Sequence, residues 1–327
     1  MDNDELTEQE KREMELILYS LDKIAPFFKD DNVTDIWIDN GIVSIKKFGN
    51  HRENTDIRLS RQQCKNILVQ IANFMDININ YEKYPVLEGT IPYYDARITG
   101  VMKWTKNPFI TIRKRPLKVF SIDDYVARGQ CTTERAEKIK HAIKFKKNIL
   151  ISGGTGSGKT TFTNAVIKEM TAYTPYDSFY IVEDNAELQC TAQYAEKLTI
   201  ETDDAMRAVK LALRCTPDRI IFGEIRDGKV LWALLDAWNT GHPGGVPPSG
   251  GKVSTIHANS AEGTFLRMKT LLKQAFGIEQ PVNNLVDMIV HLSRSTVSGI
   301  EVDEVIDCND YTEDQIEEIA KRSIEQE

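Results

Sequence analysis

The chain has 327 residues, too many for a typical single domain and enough for two hydrophobic cores. Its formal charge is −8, but residues 301–327 alone hold eleven acidic and two basic residues, a net of −9. The remainder is therefore close to neutral and lacks the basic stripe of a dedicated DNA-binding surface, so nucleic-acid contact is not supported by charge. No apolar run approaches the ~18 residues of a membrane span, the N-terminus is acidic where a secretory leader is basic, and the five cysteines form no C-x-x-C pair. A cytoplasmic chain with no integral membrane segment, disulfide framework or zinc site is expected.

Met14, Ile17, Leu18, Leu21 and Ile24 recur at three- and four-residue intervals, which predicts an amphipathic helix ending before Pro26. Its polar face is acid-rich, unlike the Lys/Arg-rich face of a membrane-surface helix, so its stripe is expected against protein. Val33 to Ile38 alternates into Asp39-Asn40-Gly41, after which Val43 and Ile45 alternate again, a hairpin signal. Ser60 and Gln63 form a capping box for a helix with Cys64, Ile67, Leu68, Ile71 and Met75 on one side. Strands at Ala96–Val101 and Phe109–Arg113 complete an α+β domain, taken with its leading helix as residues 1–115. The basic stretch Arg113-Lys114-Arg115-Pro116 opens a linker over 116–130.

From 131 to 300 helices alternate with buried strands, the pattern of a parallel α/β sheet. Asn148 to Ser152 is a short apolar strand, and Thr161 to Thr171 carries Phe162, Ala165, Val166 and Met170 at helical spacing. Between them Gly153-Gly154-Thr155-Gly156-Ser157-Gly158-Lys159-Thr160 satisfies every fixed position of the phosphate-loop pattern G-x-x-x-x-G-K-[ST]. Glycines let successive N–H groups face a phosphate, the next helix offers its positive end, and Lys159 reaches the β/γ-phosphates. Thr160 supplies a hydroxyl where Mg²⁺ takes an oxygen ligand, so ATP with Mg²⁺ is the expected occupant of this loop and Thr161.

The strand ends carry the remaining chemistry. Phe179–Val182 runs into Glu183-Asp184, Ile220–Phe222 passes Gly223 into Glu224, and Val253–Ile256 runs into His257. Ligands of open α/β sheets bind beyond the carboxyl ends of the strands, where the phosphate loop also lies. Hydrolysing a γ-phosphate needs a held metal, a positioned water and positive charge on the transition state. Glu224 suits the metal, with a helix-capping acid as the alternative. Glu183, or less favourably Asp184, suits the water. His257 suits contact with the γ-phosphate, with a structural hydrogen bond as its alternative. Arg97, Arg113 and Arg115 are cations that either close a nucleotide site across a domain or subunit boundary or remain solvated, and Arg214 and Arg219 either do the same or pair with acids.

Three further segments add to the loop: Ile181-Val-Glu-Asp-Asn-Ala-Glu-Leu188, Thr216-Pro-Asp-Arg-Ile-Ile-Phe-Gly-Glu-Ile-Arg-Asp227, and Thr240-Gly-His-Pro-Gly-Gly245 followed by Ser254-Thr-Ile-His-Ala-Asn-Ser-Ala261. Together they resemble the acidic box, Walker B and histidine box of the secretion ATPases, and most closely the TrbB-type conjugal transfer ATPases of type IV secretion. In the first domain the likeness rests on Val33-Thr-Asp-Ile36 and the arginines. The resemblance implies a RecA-like P-loop domain behind a smaller N-terminal α+β domain. It also implies Lys159 and Thr160 on phosphate and Mg²⁺, Glu183 as catalytic glutamate, Glu224 as Walker B acid and His257 on the γ-phosphate. Arg113 and Arg115, and less closely Arg97, would meet nucleotide across a boundary of a homohexameric ring. The ring would serve a conjugation or secretion apparatus at the inner membrane. Motors of pili or type II secretion are the near alternative, although the Cys-rich insert common among them is absent. A DNA-stimulated motor and a nucleotide-gated scaffold are more distant alternatives. Val246 to Lys252 is an insertion relative to the family, and the acidic segment from 301 reads as a solvated or partner-binding tail.

Overall fold

The computed structural model describes residues 7–47, 51–94, 96–114, 119–184, 186–200, 204–239, 251–277, 282, 286–295 and 299–324. These fall into two compact units, Met1–Lys118 and Val119–Glu327.

In the first unit Thr7 and Glu10 close a capping box on α1 (Glu8–Leu21), which buries Met14, Ile17 and Leu21. The predicted stripe is present, but the helix stops at Leu21. A 3-10 turn at Asp22–Ile24 follows, and Pro26 sits in the first turn of α2 (Ala25–Lys29), where its missing N–H costs nothing. The hairpin of β1 (Val33–Asp39) and β2 (Ile42–Lys47) turns through Asn40 and Gly41 at φ 49° and 79°. Two left-handed residues match the twist of the paired strands, which explains the Asn-Gly signal. β3 (Arg52–Arg58), α3 (Arg61–Phe74), β4 (Val86–Ile91), β5 (Ala96–Val101) and β6 (Phe109–Arg113) complete the unit. The antiparallel sheet runs β3-β2-β1-β6-β5-β4. One core joins Ile17 and Leu21 of α1 and Cys64, Ile67, Leu68 and Ile71 of α3 with Ile36, Ile38, Val43, Ile98, Ile110 and Ile112 of the sheet. Each of these large apolar side chains contributes on the order of 1.5–3 kcal/mol by leaving water.

The second unit begins with α4 (Ile122–Ala127) and α5 (Thr133–Lys144), so the described part of the expected linker is structured within it. Then follow β7 (Ile149–Gly153), α6 (Lys159–Tyr173), β8 (Ser178–Glu183), β9 (Tyr194–Thr199), α7 (Ala205–Cys215), β10 (Arg219–Ile225), α8 (Gly228–Asn239), β11 (Val253–Ile256), α9 (Ala261–Phe276), β12 (Met288–Ser295), β13 (Gly299–Asp307) and α10 (Glu313–Ile324). The sheet runs β13-β12-β7-β11-β10-β8-β9, parallel except for the antiparallel edge strand β13. β7 and β11 are buried along their whole length, as strands covered on both faces must be. This is the expected RecA-like α/β architecture, with the phosphate-loop strand inside the sheet and the carboxyl ends of β7, β8, β10 and β11 on one edge.

The acidic tail expected from 301 is corrected by this topology. Residues 299–307 pair with β12 over eight Cα partners, and α10 follows with Ile316 fully buried. An edge strand needs only one paired side, so it tolerates the charges that made the segment read as solvated. Residues 246–250 of the insertion and the Thr240–Gly245 element lie outside the described residues. No described helix is long and apolar enough to cross a membrane.

Candidate nucleotide site

The loop after β7 is shaped by its glycines. Gly156 and Gly158 take φ 72° and 87°, and a Cβ on Gly153 would collide with Ser157 and the Leu292 carbonyl. A Cβ built on Gly154 or Gly156 meets nothing within 4 Å, so open space lies beside the loop where a phosphate must enter. α6 begins at Lys159, earlier than expected, which aims its unbonded N–H groups at that space. Thr155 is exposed, Thr160 and Thr161 are half-buried in the first turn of α6, and Ser157 is buried with its Oγ unpartnered among the described residues.

Lys159 Nζ donates to the carbonyls of Gly153 and Gly154 at 2.9 and 3.0 Å and lies 3.3 Å from His257 Nδ1. Burial lowers the lysine pKa, and the Glu224 carboxylate opposes that shift. His257 Nε2 is 2.5 Å from Glu224 Oε1. Burial and then Lys159 lower the histidine pKa, with Glu224 opposing. A neutral imidazole satisfies both contacts if its proton is on Nε2, facing the carboxylate, and its Nδ1 lone pair faces the ammonium. Glu224 Oε2 accepts from Arg226 Nε at 2.7 Å, and Arg226 Nη2 reaches Asp184 Oδ2 at 2.9 Å. An unbroken chain of polar contacts thus runs from the loop lysine through His257, Glu224 and Arg226 to Asp184.

Glu183, 5% exposed at the end of β8, is held differently. Its Oε2 accepts from the backbone N–H of Glu187 and Leu188 at 2.8 and 2.9 Å. Asn164 of α6 donates to the Glu187 carbonyl at 3.0 Å and accepts from Gln189 N at 2.7 Å, tying the loop helix to the same segment. Gly223 stands where the Walker B pattern usually has an aspartate, and a Cβ there would lie 3.1 Å from Glu183 Cβ. The glycine lets β10 run close beside Glu183.

The structure therefore brings Lys159, Glu183, Glu224 and His257 to one edge of the sheet. Arg226 and Asn164 were not picked out from sequence. Arg226 follows Glu224 by two residues, and that strand periodicity places both on one side. Arg97 and Arg113 lie in the N-terminal unit as cross-strand partners on β5 and β6, with Arg113 Nε 3.1 Å from Asp35 Oδ1. Arg115 lies outside the described residues. Arg214 is exposed at the end of α7, while Arg219 enters β10 at the opposite edge from Glu224 and is fully buried against Asp177 at 2.8 Å. Pairing with an acid is its observed arrangement. Among the described residues no three His, Cys, Asp or Glu side chains converge as a metal cage. Thr160 and Glu224 fit a Mg²⁺ held mainly by phosphate and water, the usual mode for this ion.

Residues 92–322 match the family model described as "Type II/IV secretion system protein". The chain is 37% identical over 292 residues to the probable conjugal transfer protein TrbB of Sinorhizobium fredii, covering 87% of this chain and 86% of that one. In fold it resembles the Legionella pneumophila ATPase DotB, with a TM-score of 0.66 and 17% identity over 94% of this chain and 87% of that one. It also resembles the pilus retraction motor PilT with bound ADP, with a TM-score of 0.60 and 17% identity over 93% and 87%. The chain belongs to the type II/IV secretion system family, among relatives of the TrbB conjugal transfer type.

Proposed function

We propose that the chain hydrolyses ATP to ADP and phosphate and works as a homohexameric ring that powers conjugal transfer or type IV secretion from the cytoplasmic face of the inner membrane. The observation that carries the ATPase reading is the convergence of Lys159, His257 and Glu224, from three separate segments, beside the open space flanking Gly154 and Gly156.

In this reading Lys159 exchanges its contacts with the Gly153 and Gly154 carbonyls for the β- and γ-phosphates, while the first amides of α6 hold the β-phosphate. Thr160 and Glu224 hold Mg²⁺, which when bound offsets the charge of the phosphates. Glu183, fixed by two backbone donors on Oε2, orients the attacking water. His257 contacts the γ-phosphate. Arg113 and Arg115, with Arg97, supply positive charge to the nucleotide across a domain or subunit boundary, which gives a ring a reason to be the active form.

The test pairs nucleotide binding with native mass measurement of the full chain. Lys159→Ala is expected to weaken ATP binding by ~100-fold, the loss of a charge-assisted contact of about 2.7 kcal/mol. A monomer that hydrolyses ATP equally well with and without Lys159 would overturn the reading.

A further inference from the structure

Asn164 lies in α6, one turn after Thr160, and is 2% exposed. Asparagine is a weak helix former, and burying its amide is unfavourable unless both ends find partners. Both ends do, on a single stretch of chain. Nδ2 donates to the Glu187 carbonyl at 3.0 Å and Oδ1 accepts from Gln189 N at 2.7 Å, so the amide brackets Leu188, whose side chain is buried as well. The N–H groups of Glu187 and Leu188, within or beside that bracket, are the donors that hold Glu183 Oε2.

The segment that leaves β8 is thus fastened in two places. Asn164 ties residues 187–189 to the phosphate-loop helix, and Arg226 ties Asp184 to the end of β10. A glutamate side chain has several rotamers, and the pair of backbone donors on Oε2 selects one of them. Those donors move with residues 187–189, and residues 187–189 follow α6, whose first turn carries Lys159 and Thr160. The path from the phosphate loop to the Glu183 carboxylate therefore takes one helical turn and two sets of hydrogen bonds. If the amide only filled space in the core, leucine would serve with the same branching and a better helix propensity.

We propose that Asn164 is a positioning residue for ATP hydrolysis: it locks residues 187–189 to the phosphate-loop helix and so aims the Glu183 carboxylate at the attacking water. The inference rests on the reading of Glu183 as the residue that orients that water. It gives the segment between β8 and β9 a task, to present Glu183 in one fixed pose while phosphate holds α6. Asn164 acts only through Glu183, so its loss is felt in turnover and not in the grip on nucleotide.

Steady-state ATP hydrolysis is measured on the full chain carrying Asn164→Leu, which removes both bonds, or Asn164→Asp, which keeps the acceptor for Gln189 N and loses the donor to the Glu187 carbonyl. Thermal melts are run on the same preparations. KM is expected within about threefold of native, while kcat falls roughly 10–100-fold for Asn164→Leu and less for Asn164→Asp, the scale of a catalytic group misplaced by about 1 Å. The decisive readout pairs each substitution with Glu183→Gln. Asn164→Leu should slow the native chain yet leave the residual rate of the Glu183→Gln chain within about twofold, because no carboxylate remains to be aimed. A merely structural role lowers both rates by the same factor. Equal factors in the two backgrounds, native kcat in both Asn164 variants, or a raised KM with kcat unchanged would overturn the proposal. If Asn164→Leu does not fold, Asn164→Asp carries the same comparison. A Glu183→Gln chain that hydrolyses at the native rate removes the water-orienting reading and this inference together, whereas a slow Glu183→Gln chain beside fast Asn164 variants refutes the positioning role alone.

Discussion

Glu183→Gln separates positioning from charge at the proposed water-orienting residue. The substitution keeps size and shape, and its amide oxygen can still accept from Glu187 N and Leu188 N, which now meet Oε2 at 2.8 and 2.9 Å. What is lost is the charge on the acceptor. Charge-assisted bonds contribute ~1.5–3 kcal/mol and neutral ones ~0.5–1.5 kcal/mol, so two bonds lose on the order of 2 kcal/mol in total. That is a tolerable loss for a domain of this size, and the phosphate loop is untouched by it. Catalysis loses the carboxylate that orients water, an effect of roughly 10²–10⁴ in rate. Single-turnover phosphate release measures the rate, and titration with a fluorescent ATP analogue measures binding. The expected variant binds ATP within about threefold of the native chain and releases phosphate at least ~100-fold more slowly. Glu183→Ala is the structural control, since it strands two N–H donors at ~1–3 kcal/mol each and should lower Tm as well. A glutamine variant that hydrolyses at close to the native rate, or that loses binding together with turnover, refutes the assignment.

Two predictions concern the edge of the sheet opposite the nucleotide site. Arg219→Met leaves Asp177 buried with Lys146 at 3.0 Å as its remaining cation, and removing one partner of a buried pair costs ~3–5 kcal/mol. Because Lys146 stays, the lower end is expected, a fall of about 6–12 °C in Tm by calorimetry, and a shift under about 2 °C would show that the pair carries no stability. Burial raises the Asp177 pKa, but hydrogen bonds from Thr174, Lys146 and Arg219 outweigh it and hold the carboxyl below its ordinary value. The stability this adds is present above the unfolded pKa and lost as pH falls through the folded one, so Arg219→Met should also flatten the acid limb of a urea-midpoint profile. Lys252 is buried at the start of β11 and donates to the Ala237 carbonyl at 2.6 Å, and burial pushes its pKa down to about 8. The unfolded chain then binds more protons between pH ~8 and ~10.4, so stability should rise with pH across that window by at most about 3 kcal/mol. The carbonyl favours the ammonium and offsets part of this rise. Lys252→Met should abolish the rise, and an unchanged profile would show that Lys252 titrates normally.

Legibility in the sequence followed how local each constraint was. The phosphate loop was readable because left-handed backbone at Gly156 and Gly158 demands glycine wherever the chain goes next. The Asn40-Gly41 hairpin was readable for the same reason, and the Ser60-Gln63 cap because its reciprocal hydrogen bonds close within three residues. Convergence of Glu183, Glu224 and His257 needed one further step, that parallel strands place their carboxyl ends together. Beyond that, distance along the chain hid the partners. Arg219 meets an acid 42 positions away, and Arg226 spans from Glu224 to Asp184. Composition misled outright at 301–307. Charge there marks an edge strand rather than solvated chain, and Ile300 of that strand closes over Gly158 of the phosphate loop. A segment read as a tail therefore packs against the site.

The chain from Lys159 to Asp184 also constrains how nucleotide binds. Its two cations, Lys159 and Arg226, and its two carboxylates, Glu224 and Asp184, already satisfy one another through the neutral His257. At these side chains a triphosphate therefore exchanges contacts, and it adds them only at the free amides that open α6. Each bond that Lys159 makes to phosphate replaces one to the Gly153 or Gly154 carbonyl, and any Mg²⁺ contact by Glu224 replaces one to Arg226 or His257. The side-chain contribution to affinity is then the gain of a charged phosphate acceptor over a neutral carbonyl, smaller than the gross strength of the new bonds. Drawing Lys159 away leaves His257 Nδ1 without its donor, and His257 is the residue in contact with Glu224. In the proposed reading, occupancy of the loop reaches Glu224 of β10 through two contacts, and Asp184 beyond β8 through two more made by Arg226. A site that began with unpaired charges would bind nucleotide more tightly and carry no such signal.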